Sequence, residues 1–164
     1  MKPSRLVLTA LFLSGILVMP WSSTLVPVAS AEEGEPDAAF VSQQVPSIMV
    51  KGVSYTVRVV MQNTGGATWT GGSGYGLGSQ NPQDNTTWGR SRVRIPRGQR
   101  AISPGMLKTF DFLVTAPNQT GLYNFQWQMV RDSQDTGALF FGEMTPNVVV
   151  NVIGAPGGVD DALF

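Results

Sequence analysis

GLYNFQWQMV, residues 121–130, alternates from Tyr123 onward: Tyr123, Phe125, Trp127 and Met129 fall on one side of an extended chain, with Asn124, Gln126 and Gln128 on the other. Successive side chains of a strand point to opposite faces, so a period of two sets four large apolar residues against a core and three amides into water. Gly121-Leu122-Tyr123 adds a second signal. Immunoglobulin-like sandwiches place a tyrosine at this entrance to a strand and bond its hydroxyl back to a loop backbone. A tyrosine acting only as one more core aromatic fits the same residues. In both cases Tyr123 points inward, and Trp127 is the central anchor of the row.

The same period recurs on either side. In VSYTVRVVMQN, residues 53–63, Val53, Tyr55, Val57, Val59 and Met61 share a face. Phe110, Phe112 and Val114 do so in KTFDFLVTAP, and Val148, Val150 and Val152 in NVVVNV. Shorter strands are expected around AAFVSQ, YGLGS and SRVRI, separated by the turn signals NTGG, NPQDN, SPG, APNQTG and DSQDTG. No amphipathic helical stripe follows residue 31. About seven short strands with regular turns predict an all-β fold, an immunoglobulin-like antiparallel β-sandwich.

The chain begins with a different pattern. Lys2 and Arg5 precede an apolar run, LVLTALFLSGILVMP, and Ala29-Ser30-Ala31 supplies a small-x-small cleavage site, so residues 1–31 read as a secretory signal peptide. The run is short for a membrane span and Pro20 ends it, so no membrane insertion is expected after cleavage. The protein is then secreted or periplasmic. Removing the signal takes away two of the 11 basic residues and none of the 11 acidic ones, leaving a net charge of −2 that argues against nucleic acid as a partner. The composition and turn pattern divide the rest into a flexible segment at 32–37, one sandwich domain at 38–153 and a flexible tail at 154–164.

The residue types narrow the chemistry. Cysteine and histidine are absent, which removes Ser-His-Asp and Cys-His triads, thiol redox chemistry and histidine-bearing zinc sites. A glycosidase needs two carboxylates about 5–10 Å apart, and the available ones are Asp84, Asp111, Asp132, Asp135 and Glu143. Asp111 alternates with Phe110 and Phe112 and so faces solvent, while Asp132 and Asp135 sit in a turn-forming sequence. Calcium loops alternate oxygen ligands in a way that Asp132, Asp135 and Glu143 do not. GGSGYGLGS has neither the following helix nor the Lys-Ser/Thr pair of a phosphate loop, and its glycines suit close backbone approach beside a strand. No catalytic residue, metal or cofactor is expected.

A set of short motifs runs through the domain in order. They are Asn63-Thr64-Gly65 with Thr68-Trp69, Tyr75-Gly76-Leu77-Gly78-Ser79-Gln80, Trp88-Gly89, Arg92-Val93, Pro104-Gly105, Ala116-Pro117, Gly121-Leu122-Tyr123, Trp127-Gln128-Met129 and Phe141-Gly142. In this combination the chain resembles the bacterial form of the FW (four-tryptophan) domain. That domain is the immunoglobulin-like central module of the next-to-breast-cancer-gene-one autophagy receptors. The resemblance covers about Phe40 to Val152. Trp69 and Trp127 match two tryptophans of the eukaryotic module, Val59 stands where its first would be, and the Trp88 segment matches the bacterial branch. The resemblance implies a non-catalytic interaction module and does not carry over the eukaryotic partner.

Two classes of partner fit the surface residues. Trp69 is expected to fold over the end of the core. Trp88, set in the polar stretch DNTTWGRSR, is the candidate for an exposed contact, although the family pattern also fits a structural latch. RSRVRIPRGQR carries Arg90, Arg92, Arg94, Arg97 and Arg100 without an acid. Such charge suits either a guarded edge strand or a surface that binds anions, with Arg92 tied into the structure. A protein partner would use Trp88, Tyr75, Arg90, Arg92 and Arg94 as a hot spot. A cell-envelope polysaccharide would instead stack on Trp88 and Tyr75 and bond to the amides of Asn81, Gln83 and Asn85. Few aromatics are free of core duty, which favours a protein.

Overall fold

The computed structural model describes residues 34–155, so the signal expected at 1–31 and the tail from residue 156 onward lie outside the described residues. Within them the fold is all-β, with ten strands and no helix. The longest pairing joins β3 (Ser54–Asn63) to β6 (Leu107–Thr115), antiparallel, with Val57 opposite Phe112 and Val59 opposite Phe110. Strict alternation along β6 buries Lys108, Phe110, Phe112 and Val114 and exposes the residues between them. β1 (Ala38–Gln44) pairs with the other side of β3 through a bulge at Val41, completing the first layer as β1-β3-β6.

Val45-Pro46-Ser47 then carries the chain across to the second layer, where β2 (Ile48–Val50) runs parallel to β10 (Val148–Ile153). β10 also pairs with β7 (Gly121–Phe125). The neighbouring sheet has the order β5-β4-β8-β9, with β4 Tyr75–Ser79, β5 Arg92–Arg94, β8 Trp127–Ser133 and β9 Gly137–Met144. The strand expected at 123–130 is thus broken at Gln126, and its partner is broken opposite it at 145–147. Thr145 repairs both breaks. Its N–H donates to the Trp127 carbonyl (2.7 Å), its Oγ1 accepts from the Trp127 N–H (3.0 Å), and its carbonyl accepts from the Gln126 amide (2.9 Å).

The layers meet through large side chains. The Phe112 ring of the first packs edge-on against Trp127 of the second at 5.2 Å between centroids. Tyr123 donates its hydroxyl to the Gln119 carbonyl at 3.1 Å, the corner anticipated from Gly121-Leu122-Tyr123. Trp69 is fully buried, pairs through its backbone with Ile102, and packs on Phe141 at 6.0 Å, which makes it the core lid expected. Phe125, Trp127 and Met129 are fully buried as well. Val53, expected on the inner face, is instead 44 % exposed, because it lies in the turn that opens β3.

The start of the domain is less free than its composition implied. Residues 34–37, expected to be flexible, lie along the 64–66 turn. The Gly66 N–H donates to the Glu35 carbonyl (2.9 Å), and those of Thr64 and Gly65 to the Asp37 carbonyl. A Cβ on Gly65 would sit 2.3 Å from the Asp37 nitrogen, so the two segments fit only with glycine there.

One side of the sandwich is closed. β9 lies against β1 at Gly142, which has a φ of 68° and no room for a side chain, since a Cβ would fall 2.5 Å from the Ala38 backbone. The Phe40 N–H donates to the Glu143 carboxylate (2.9 Å) and Gln43 to the Pro146 carbonyl (2.7 Å) across the same seam. Among the described residues the opposite side leaves the edges of β5 and β6 unpaired with each other, with bonds only from Thr115 to Trp88 and from Lys108 to Gln99 near its ends.

Candidate functional site

Segment 79–90 leaves β4 and returns to β5 as a loop that bonds to itself. Asn85 donates to the carbonyls of Gln80 and Pro82 and accepts from the Thr87 N–H, while Ser79 Oγ donates to the Asn85 carbonyl. The loop's amide and hydroxyl groups hold its own shape and push Trp88 inward. Trp88 is only 2 % exposed, edge-on to Phe125 (5.6 Å) and Tyr123 (6.3 Å). Its indole N–H donates to the Asn124 carbonyl at 2.9 Å, and its own carbonyl accepts from the Thr115 N–H at 3.2 Å. An antiparallel edge strand leaves alternate carbonyls without a ladder partner, and Trp88 fills one on β7 while clamping the end of β6. The exposed-contact reading of Trp88 is therefore corrected, and the residue is a structural latch.

Tyr75 is corrected in the same way. Its ring is buried, stacked on Trp69 at 6.5 Å, edge-on to Phe141 at 5.9 Å, and covered by the Arg131 guanidinium. Among the described residues every tryptophan is buried and no tyrosine is exposed. The aromatic platform expected for sugar stacking is not formed by Trp88 and Tyr75.

The arginines do come together along β5. Arg92 is a structural member, as its place in the motif series implied. It pairs with Asp84 and Asp132 and lies over the Phe140 ring at 5.1 Å. Burial works against its charge, but the hydrogen bonds it donates to Asp84 and Asp132 outweigh burial and raise its pKa above the ordinary arginine value. Gly78 makes room for this stack, since a Cβ there would meet the Phe140 ring at 2.5 Å. Arg94 shares Asp132 at 3.0 Å yet stays 59 % exposed. Asp132 thus closes β8 as the anchor of two arginines, where its turn-like sequence had predicted an ordinary turn residue. Arg90, Arg97 and Arg100 are exposed.

Between β5 and β6 runs a shallow groove in two connected parts. One, of about 490 Å³, is lined by Arg90, Val93, Arg94, Phe112 and Leu113. The other, of about 580 Å³, continues past Arg97, Gln99, Lys108 and Thr109. Asp111 lies on its wall, but Arg58 holds that carboxylate in a two-point pair at 2.6 and 3.1 Å. The hydrogen bond from Arg58 keeps the Asp111 pKa below the ordinary carboxylate range. Leu107 and Leu113, 56 % and 54 % exposed, went unmarked in the sequence because they alternate with the inward phenylalanines as outward residues should.

Lys108 closes one end of the groove from within. It lies on the inward face of β6, with Nζ donating to Gln99 (3.0 Å) and resting over the Phe110 ring at 5.0 Å. Burial lowers its pKa from the ordinary lysine value. Between the lowered folded pKa and the ordinary one the unfolded chain binds more protons, so stability rises with pH across that window. Lys108→Met should raise stability at neutral pH and abolish this alkaline rise. Urea melts at about pH 7 and pH 10 check both effects.

Among the described residues no helix is long and apolar enough to cross a membrane. No protein-family model matches the chain, and no curated protein matches it.

Proposed function

We propose that this sandwich is an exported, non-catalytic binding module that engages a protein partner through the arginine-lined groove between β5 and β6. The observation that carries this is the contrast between the two sides of the fold. One is sealed by β1 against β9, and the other leaves two sheet edges open under Arg90, Arg94 and Arg97. The carboxylates support a non-enzyme: Asp84 and Asp132 hold Arg92, Asp111 holds Arg58, and Glu143 holds the β1 backbone. The resemblance to bacterial FW domains and the apparent signal sequence support an exported interaction module.

A polysaccharide is the alternative, and the burial of Trp88 and Tyr75 weighs against it, because sugar stacking needs exposed rings. The deciding test is a pull-down with residues 32–164 against envelope extract and against isolated polysaccharide, beside an Arg90→Glu/Arg97→Glu control. These two arginines are exposed, so the control should melt within about 0.5 kcal/mol of the unaltered protein. Capture of one or two defined proteins, lost in the control, is the expected result. Retention on polysaccharide alone would overturn the protein reading.

A further inference from the structure

We infer that the open edge of β6 takes up an extended acidic segment of a partner protein as an added strand, a mode that rests on the proposed protein-binding role. The parity of the backbone carries the inference. The Thr115 N–H points to Trp88 and the Ala116 N–H to Val53, so β6 residues alternate between the outer edge and β3. By that alternation the main-chain groups of Thr109, Asp111 and Leu113 face away from β3. On β5, Ser91 and Ile95 bond to Ser79 and Tyr75 of β4, so the main-chain groups of Arg92 and Arg94 likewise face away from their partner. Two rows of backbone donors and acceptors therefore border the groove.

Exposed edges of this kind are templates for strand pairing, and proteins usually guard them with charge or a cover. Here the guards stand at the two ends. Trp88 covers Thr115, and inward-pointing Lys108 marks the far end. The six residues between, 109–114, about 20 Å of strand at ~3.3 Å per residue, stay open. An added strand gains its affinity from main-chain bonds and its specificity from side chains at alternate positions. Its inner side chains would meet Val93 and Phe112, and its carboxylates the rim formed by Arg90, Arg94 and Arg97. The one carboxylate on the groove wall, Asp111, is neutralised by Arg58, so the rim selects an acidic segment over a basic one.

The test uses an alternating valine–glutamate heptapeptide and its valine–lysine counterpart, titrated into isotopically labelled residues 32–164. Amide exchange is read residue by residue. The acidic peptide should slow exchange at Thr109, Asp111 and Leu113 about tenfold, and the basic one should not. Thr109→Pro removes one edge donor without touching the β3 ladder, so it should keep the fold and weaken binding about fivefold or more. Binding that shifts arginine signals but protects none of the three amides would overturn strand addition. So would failure of both peptides to bind. The protein-binding role itself fails only if the pull-down captures no protein, so the two failures are distinguishable.

Discussion

Trp127→Ala should cost about 3–5 kcal/mol and leave the domain unfolded or nearly so at 37 °C. The ring is fully buried, edge-on to Phe112 of the opposite layer at 5.2 Å and tilted against Phe125 at 5.9 Å. It is thus a contact that holds the two layers together. Its backbone sits where β7 passes into β8, and both its N–H and its carbonyl are bonded to Thr145. A cavity here would loosen the residue that repairs the break in both strands. Among the described residues no acceptor meets the indole N–H of Trp127, so its contribution there is packing alone. Trp127→Phe should accordingly recover most of the loss. Urea melts of both variants, with the midpoint as readout, decide the matter. A Trp127→Ala midpoint close to the unaltered one would mean that the layers are held together elsewhere.

The parts of this fold that were legible are those where one face is buried along a whole strand. β3, β6 and β10 announce themselves by period, because each has a wet side and a dry side. β9 does not. Ala138 and Leu139 are exposed, Phe140 is half-buried under Arg92, and only Phe141 is fully in the core, so no alternation marks it. The break at Gln126 is equally silent, since its cause is Thr145, nineteen residues away. The candidate site suffered from a related gap. Polar neighbours made Trp88 look exposed, yet those neighbours bond to one another, and the ring's position is set by an unpaired carbonyl on β7. Arg92 and Arg94 could be placed on an edge strand from their spacing. Their pairing with Asp132, about forty residues on, required the β4-β8 register.

Trp88→Ala tests the latch and should be nearly as damaging as Trp127→Ala, at about 3–4 kcal/mol. Two losses combine. The ring leaves a void beside Phe125 and Tyr123, and the Asn124 carbonyl on the β7 edge loses its donor. Trp88→Phe separates them, because a phenyl ring keeps most of the packing and cannot donate. Its cost should be about 1–2 kcal/mol, the usual consequence of leaving a partly buried acceptor unmet. The damage should also be local before it is global. Amide exchange should speed up first at Gly89 and Thr115, whose bonds run to Thr86 and Trp88 within the latch. Because Phe125 touches both Trp88 and Trp127, the two alanine variants share a neighbour and their costs should not add. A surface tryptophan would show none of this pattern. If Trp88→Ala melts within about 0.5 kcal/mol of the unaltered protein, the ring is dispensable to the fold and its role returns to the surface.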